Sequence, residues 1–260
     1  MTAGRDLQRD LRALGDVRAP TGLSGAVLAR LGLGVAYATL DTVIGRVFVA
    51  YTPRGAVAVR RASSPRAFEA DFQKTFGRAV RPAPAPPAWL ARALASPGAR
   101  RKLPVDLGGR SAFERAVLKK ALDIPAGEVR SYAWVAREIG RPAAVRAVGS
   151  ALGRNPVPLL IPCHRVVRSD GTISDFIFGP TAKRVLLRHE GVDPDALARL
   201  GREGVRYLGS DTTRIYCFPT CRAARRISAP HRVPFRSERQ AATAGYRPCR
   251  LCRPAFARPA

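Results

Sequence analysis

Hydrophobic positions first alternate with polar ones and then recur at helical spacing. Alternation predicts a strand over residues 42–51 with a hairpin partner over residues 55–59. Helical spacing predicts helices over residues 68–76 and 89–94, on either side of an extended proline-rich connector at residues 82–87. This portion is predicted to be a small α/β module, and it contains no cluster of reactive side chains.

The next portion is mostly helical, and its helices have clear start and stop residues. Ser111 and Glu114 form a capping box, which predicts a helix that runs to about residue 122. A last helix is predicted to begin at Pro180 and to end before Gly191.

Two helices between these resemble a helix-turn-helix. The first is predicted over residues 131–139, with Gly140 as its left-handed cap, and the second from Pro142 to about residue 153. A short glycine-containing turn between two helices is typical of this DNA-binding motif. The alternative is a pair of packed helices with solvated arginines.

Residues 1–35 are interpreted as a leader with a weak helical pattern. They carry alternating charges near the start and have no apolar core of the kind a secretory signal needs. No window of the chain approaches the roughly 20 apolar residues of a membrane span. We therefore expect a cytoplasmic, nucleoid-associated protein without membrane contact, in a reducing compartment where structural disulfides are rare.

The balance of charge points to a polyanionic partner. Lys and Arg number 45 against 19 Asp and Glu, a formal net charge of +26 in 260 residues. Such an excess is typical of proteins that bind nucleic acid. The hydrophobic fraction of 46% supports a sizeable core and excludes a mainly disordered chain.

Four of the five cysteines cluster near the end of the chain. Cys217 and Cys221 are separated by three residues, and Cys249 and Cys252 by two. Two short cysteine pairs separated by a loop are the usual pattern of a tetrahedral zinc site with four thiolate ligands. Residues 201–260 hold 13 arginines against three acidic residues and few aliphatic ones, so a small domain there needs such a stabilising metal. Disulfides and an iron–sulfur cluster are the alternatives.

The fifth cysteine lies in a different setting. Cys163 precedes His164 in the segment Ile-Pro-Cys-His-Arg-Val, a short distance after Asn155. A cysteine beside a histidine is either a buried inert thiol or a nucleophile whose proton the histidine takes. The residues alone leave both open.

The longer segment from Arg146 to Val166 resembles the active-site region of the methylated-DNA–protein-cysteine methyltransferases. The resemblance covers about residues 38–193 and is dense from Phe113 onward. It implies a ribonuclease-H-like α/β module over residues 36–108, followed by a helical, winged-helix or helix-turn-helix-like catalytic module over residues 109–195.

The resemblance also implies a reaction and roles for five residues. A methyl group passes from O6-methylguanine in DNA, with O4-methylthymine as a further substrate, to Cys163, once per molecule. His164 would take the thiol proton through a water, and Glu190 would orient that histidine. Tyr132 would donate a hydrogen bond to the leaving base, and Asn155 would hold the cysteine turn.

DNA contacts follow from the same resemblance. Arg146 matches the arginine that fills the space left by a flipped nucleotide, and Arg154 and Arg165 are expected to contact DNA. The loop at residues 174–179, with Asp175 and two phenylalanines, differs from the family pattern in the alkyl pocket and leaves the alkyl-size range open.

Residues 203–257 resemble the zinc-binding methyl-acceptor domain of the Ada family. There the first cysteine is both a zinc ligand and the acceptor of a methyl group from a DNA methyl phosphotriester, which corresponds to Cys217, and Arg247 matches an arginine that contacts the DNA backbone. Three positions differ from that family: Arg214 replaces a usual Gly, and Phe218 and Ala224 replace a usual Arg.

Together these observations predict an α+β multidomain protein with one zinc ion that repairs alkylated double-stranded DNA by direct reversal. A monomer is expected. Two alternatives are kept: a methylation-responsive transcriptional regulator, and a repair enzyme whose zinc domain only anchors DNA.

Overall fold

The computed structural model describes residues 34–95 and 103–254, so the helical pattern proposed for the leader lies outside the described residues. The described part begins with a four-stranded sheet. Its strands follow the order β3-β2-β1-β4, with β4 parallel to β1 and the other pairs antiparallel. The strands are β1 (Val35–Thr42), β2 (Gly45–Thr52), β3 (Gly55–Arg60) and β4 (Val80–Pro82).

Alternate residues of β2 face two different hydrophobic cores. Phe48 and Ala50 pack with helix α1 (Pro65–Phe76), whereas Val47 and Val49 pack toward the helices that follow. This period of two is the one expected for a strand covered on both faces. The core that contains Val47 and Val49 also includes residues of the helices after residue 108. The two predicted modules therefore share this core.

The predicted first strand is wrong in its start. β1 already ends at Thr42, and residues 43 and 44 form the turn to β2. The Thr42 hydroxyl donates to the carbonyl of Gly45 at 2.6 Å and accepts from the amide of Ile44 at 3.3 Å, which closes the hairpin here. The sequence analysis did not predict β1.

The helices of the next part are close to their predicted bounds. The capping box of Ser111 and Glu114 is present and opens α3, so that prediction is confirmed. The helices are α2 (Ala88–Ala95), α3 (Ala112–Leu122), α4 (Tyr132–Glu138), α5 (Val145–Gly153), α6 (Pro180–His189) and α7 (Pro194–Arg202); α7 was not predicted.

The predicted start of the third helix at Pro142 is wrong, because α5 begins three residues later. Gly140 takes the left-handed conformation, with φ of 71°, and its amide donates to Arg137. The amide of Arg141 reaches back to the carbonyl of Ala136, which completes a Schellman ending of α4. Residues 141–144 then form a turn before α5 can start.

A short parallel pair joins the start of α4 to the segment around Cys163. Strand β5 (Arg130–Ser131) pairs with β6 (Val166–Val167), which follows a single 3₁₀ turn at Cys163–Arg165. The Ser131 hydroxyl accepts from the amide of Trp134 and so caps α4.

The cysteine-rich end contains a second four-stranded sheet, which the sequence analysis did not predict. The strand order is β10-β8-β7-β9, with β10 parallel to β8. No helix in the described part of the chain is long and apolar enough to cross a membrane. The elements are β7 (Tyr207–Ser210), β8 (Ile215–Cys217), α8 (Arg222–Arg225), β9 (Arg232–Phe235), α9 (Glu238–Thr243) and β10 (Arg247–Pro248).

At Gly55 the first sheet packs closely on the segment that leads to α3. Its φ is +130°, and a Cβ there would lie 2.2 Å from the carbonyl oxygen of Pro104. We expect Gly55→Ala to lower the free energy of unfolding by about 2–4 kcal/mol, measured by urea denaturation. Gly77→Ala is the control: its φ is +68° with open space around the Cβ, so we expect about 1 kcal/mol. Equal losses would contradict the close approach.

Candidate active site and metal centre

Cys163 is held at the start of the 3₁₀ turn by a buried asparagine. The side-chain amide nitrogen of Asn155 donates to the carbonyl of Ile161 at 3.1 Å and to the Cys163 sulfur at 3.2 Å. Its side-chain oxygen accepts from the backbone amide of Val157. Both Cys163 and Asn155 are buried. The structure therefore brings together two of the predicted site residues.

His164 and Arg165 share one carboxylate. A ring nitrogen of His164, Nε2, lies 3.1 Å from Oε1 of Glu190. Arg165 donates to both carboxylate oxygens of Glu190, at 2.7 and 2.8 Å, and to the carbonyl of Ile124 at 2.6 Å. The predicted pairing of His164 with Glu190 is thus present in the geometry.

Arg165 itself was expected to contact DNA, and that prediction is wrong in this structure. The residue is 2% exposed and is among the largest fully buried side chains. Its guanidinium donates hydrogen bonds to Glu190 inside the protein, so it does not reach the surface. Sequence reasoning missed this because an arginine beside a histidine in a basic protein resembles a surface cation.

Burial and ion pairing act in opposite directions on these groups. Burial alone would raise the pKa of Glu190, but hydrogen bonds from His164 and Arg165 and their charges hold it well below its ordinary value. Burial raises the pKa of the Cys163 thiol, although the Asn155 hydrogen bond and the Lys183 ammonium oppose this. A thiol in this setting needs a base to become a nucleophile.

Cys163 lines a groove of about 590 Å³ together with Tyr132 and Arg146. The Tyr132 hydroxyl lies 2.6 Å from the hydroxyl of Ser174. Burial raises the pKa of Tyr132, so the phenol remains a hydrogen-bond donor at neutral pH. Arg146 is exposed on α5 at the edge of this groove.

Lys183 is part of the site, and the sequence analysis gave it no role there. Its buried ammonium donates to the carbonyl of Val166 at 2.6 Å and to Ser174 at 3.0 Å. Burial lowers its pKa to about 8, while the nearby Cys163 and Asp175 raise it. Lys183 therefore extends the contact between Tyr132 and Ser174 into the protein interior.

The loop at residues 174–179 forms one wall of the groove. Asp175, Phe176 and Ile177 line it, and Ile177 is 42% exposed. The ring of Phe176 meets that of His164 edge-on, with centroids 6.1 Å apart. The wall is thus largely apolar, with a single carboxylate.

The other predicted arginines have separate places. Arg154 is exposed and pairs with Glu114 at 3.0 Å. Arg247 lies far along the chain in a second groove that also contains Cys217. The structure does not bring Arg247 into the groove of Cys163.

The four clustered cysteines meet in one place. Parallel pairing of β10 with β8 sets Cys249 beside Cys217, and the Cys249 amide donates to the carbonyl of Tyr216 at 3.0 Å. All four sulfur atoms lie within 4.8 Å of one another and all four residues are buried. Tetrahedral zinc holds thiolates at about 2.3 Å, which puts the sulfurs about 3.8 Å apart and thus within this bound. The four sulfurs fit one zinc ion, and Cys221 and Cys252 complete the set.

Comparison with known proteins agrees with both sites. Residues 112–192 match the family model described as 6-O-methylguanine DNA methyltransferase, DNA binding domain, and residues 201–255 match the metal binding domain of Ada. The OGT of Mycobacterium tuberculosis, solved in complex with DNA, is 30% identical, with a TM-score of 0.50. The match covers 63% of this chain and 99% of that one.

The chain belongs to the O6-methylguanine DNA methyltransferase family. It carries in addition a metal-binding domain of the Ada type. The bifunctional transcriptional activator and DNA repair enzyme Ada of Escherichia coli is 39% identical over 164 residues, 61% of this chain and 46% of that protein. The methylated-DNA–protein-cysteine methyltransferase of Homo sapiens is 42% identical over 124 residues, 45% of this chain and 57% of that protein. The chain thus spans about half the length of the curated relatives that it matches.

The three departures from the Ada pattern have local explanations. Arg214, where the pattern has glycine, adopts a left-handed φ of 53°, and its guanidinium lies over the ring of Tyr246 at 5.2 Å. Ala224 is buried against the four cysteines, and the ring of Phe218 packs beside Tyr207 with centroids 5.6 Å apart. Both thus contribute apolar packing where the Ada pattern has a cation.

Substitution of Glu190 tests whether its buried contacts with His164 and Arg165 stabilise the fold. Glu190→Gln removes the carboxylate that the buried Arg165 guanidinium contacts, and we expect the free energy of unfolding at pH 7 to fall by about 3–5 kcal/mol. Because the pKa of Glu190 is lowered by folding, its contribution is full above the ordinary value of 4.5 and is lost as the pH falls below it. The difference between the two proteins should therefore shrink in acid.

The control for this comparison is Asp195→Asn. Asp195 pairs with Arg184 and Arg188 on the surface, where solvent screens the charges, so we expect a much smaller loss. Urea unfolding at several pH values measures both. A loss for Glu190→Gln as small as that of the control would contradict a buried charge pair.

Proposed function

We propose that this protein repairs DNA by direct reversal, taking the methyl group of O6-methylguanine onto Cys163 in a single turnover. The observation that carries the proposal is the arrangement around one sulfur. Cys163 lies in a groove with Tyr132 in its wall, and the next residue of its turn, His164, contacts Glu190 at the end of α6. The names of the relatives, methylated-DNA–protein-cysteine methyltransferase and DNA repair enzyme Ada, support the same reaction.

The proposed reaction exchanges the thiol proton for a methyl group. The Cys163 sulfur forms a bond to the methyl carbon while the bond between that carbon and O6 of guanine breaks. His164, oriented by Glu190, takes the thiol proton, and the proton finally resides on the released guanine. Tyr132 donates a hydrogen bond to the leaving base. The thioether that forms has no route back, so each molecule acts once.

The groove also supports a flipped nucleotide as the bound form. A base within a stacked duplex does not reach a buried sulfur, so the nucleotide must leave the stack at a cost of a few kcal/mol. Arg146, exposed at the groove edge on α5, is proposed to fill the vacated space. Arg154 is proposed as a backbone contact. O4-methylthymine is a second proposed substrate.

A second methyl acceptance is proposed at Cys217, because the groove beside it is unusually basic. Cys217 lines a groove of about 880 Å³ with Arg222, Arg226, Arg247 and Arg250. Such a groove suits the phosphate backbone of DNA. Zinc, when bound, keeps the four sulfurs deprotonated. A methyl phosphotriester held there would transfer its methyl carbon to Cys217 and leave an ordinary phosphodiester.

Several broader assignments belong to the same proposal. The sheet of β1–β4 with its helices would be a ribonuclease-H-like module over residues 36–108. Residues 109–195 would be a winged-helix-like catalytic module, and residues 203–257 the zinc domain, of which 255–257 lie outside the described residues. We propose a monomer that acts on alkylated double-stranded DNA at the nucleoid in the cytoplasm. The regulatory name of the Escherichia coli relative keeps methylation-dependent transcription control as the alternative.

The first test concerns Cys163. Incubating the full chain with a duplex that contains O6-methylguanine should add one methyl group per protein, located on Cys163 by peptide mass spectrometry. Cys163→Ala should end transfer from that base and still bind the duplex, because the arginines that supply affinity are unchanged. More than one turnover, or transfer from O6-methylguanine that survives the substitution, would overturn the assignment.

The second test concerns Cys217. Duplex DNA that bears methyl phosphotriesters, and no alkylated base, should add a methyl group to Cys217 alone, again located by peptide mass spectrometry. Neutralising two groove cations in the double variant Arg226→Gln, Arg247→Gln should slow this transfer. The rate of Cys163 methylation by the free base O6-methylguanine, which needs no DNA contact, should be unchanged, since neither arginine lies in the Cys163 groove. Zinc-loaded protein that stays unmodified would leave the domain with an anchoring role only.

A further inference from the structure

The two cysteine loops contact one and the same segment of the methyltransferase part, residues 128–137. In the first loop, the Thr220 hydroxyl accepts from the amide of Val129 at 2.9 Å, in a buried hydrogen bond. Just after that loop, the amide of Arg222 donates to Oε1 of Glu128 at 3.0 Å. Buried polar contacts of this kind hold two surfaces in one relative position.

The second cysteine loop contacts the same segment through a tryptophan. The indole Nε1 of Trp134 donates to the carbonyl of Cys252 at 3.0 Å and to that of Arg253 at 3.1 Å. Cys252 is itself a member of the metal cluster. A shift in the cluster therefore acts directly on helix α4.

Between the two loops lies a buried cation. The guanidinium carbon of Arg130 lies 5.6 Å from the ring centroid of Trp134 and 5.3 Å from that of Phe218. Arg130 and Glu128 form an ion pair in which both side chains are almost fully buried. The contact of the Arg130 guanidinium with the Phe218 ring explains why an aromatic residue at position 218 suits this chain.

The far side of the same segment forms the methyl-acceptor groove. β5, which starts at Arg130, pairs with β6 directly after the Cys163 turn, and Tyr132 is the first residue of α4. Tyr132 and Cys163 both line the groove. Residues 128–137 thus contact the loops of the metal cluster and also contribute Tyr132 to the methyl-acceptor groove.

We propose that the zinc loops support segment 128–137, so that metal occupancy sets the position of Tyr132 relative to Cys163 and with it the rate of methyl acceptance. Glu128, Trp134 and Thr220 are positioning residues in this scheme. A small, highly charged metal domain loses its fold without the metal, and both loops then release the segment. The rate effect rests on the proposed function, whereas the structural coupling does not.

The structural coupling is measured by fluorescence of the full chain. The protein has two tryptophans, so Trp89→Phe leaves Trp134 as the only indole. Removal of zinc by a chelator should shift the Trp134 emission to longer wavelength, because the indole N–H loses its carbonyl partners and gains water. Unchanged emission after release of one zinc per chain would overturn the proposal.

The rate effect is measured with the free base O6-methylguanine, which needs no DNA contacts. Trp134→Phe and Thr220→Val should each slow methylation of zinc-loaded protein at Cys163 by about two- to tenfold, the range for one lost hydrogen bond. Trp89→Phe is the matched control, because Trp89 packs on Tyr51 in the first sheet, and its rate should equal that of the unaltered protein. Thr220→Val keeps the side-chain volume, so it tests the same contact even if the tryptophan variant does not fold.

The outcomes separate the two proposals. If the unaltered protein is never methylated at Cys163, the proposed function fails, and the Trp134 emission still tests the contact. If the protein is methylated and both variants react at the control rate, segment 128–137 is not a positioning element and the inference is overturned.

Discussion

One buried carboxylate organises the surroundings of Cys163. Glu190 contacts His164 on one side and Arg165 on the other, on the 3₁₀ turn that begins with Cys163. The two partners hold the pKa of the carboxyl low, so it stays ionised although it is almost fully buried. A permanent negative charge there favours a histidine that is oriented to take a proton, and Arg165 balances that charge within the protein. The thiol, the imidazole and the balancing guanidinium thus come from three consecutive residues, and the carboxylate that contacts two of them comes from Glu190, distant in the chain.

A second constraint comes from the metal cluster. Its two loops are joined by parallel pairing of β8 with β10, and both rest on residues 128–137. The small sheet that carries them has little aliphatic material, with a core made of aromatic rings and the four cysteines. Metal binding and packing against the methyltransferase part therefore replace the hydrophobic core that such a domain lacks.

Local signals in the sequence predicted the parts of the fold that depend on few residues. The capping box at Ser111 and the cap at Gly140 involve neighbours in the chain, so both could be read directly. The start of α5 could not, because the turn at residues 141–144 follows from how α4 ends. The pairing of β4 with β1 and that of β10 with β8 join segments far apart in the chain, which periodicity in short segments does not reveal.

The site residues show the same division. The cysteine spacing predicted the metal cluster, and the resemblance placed Glu190 near His164. Neither indicated that Arg165 would be buried on Glu190 or that Lys183 would reach Ser174, since both depend on tertiary contacts of cations usually found at the surface. The contacts of Thr220 and Trp134 could not be predicted either, because they join segments about 90 and 118 residues apart.

We propose that the ionised Glu190 makes His164 an effective base for Cys163. The most direct measurement is the rate of Cys163 methylation by O6-methylguanine in Glu190→Gln, at a temperature where circular dichroism shows the variant folded. Loss of an orienting charge in such a triad should slow the transfer by about 100-fold or more, while duplex binding is retained. A folded variant that accepts the methyl group at the rate of the unaltered protein would contradict the account.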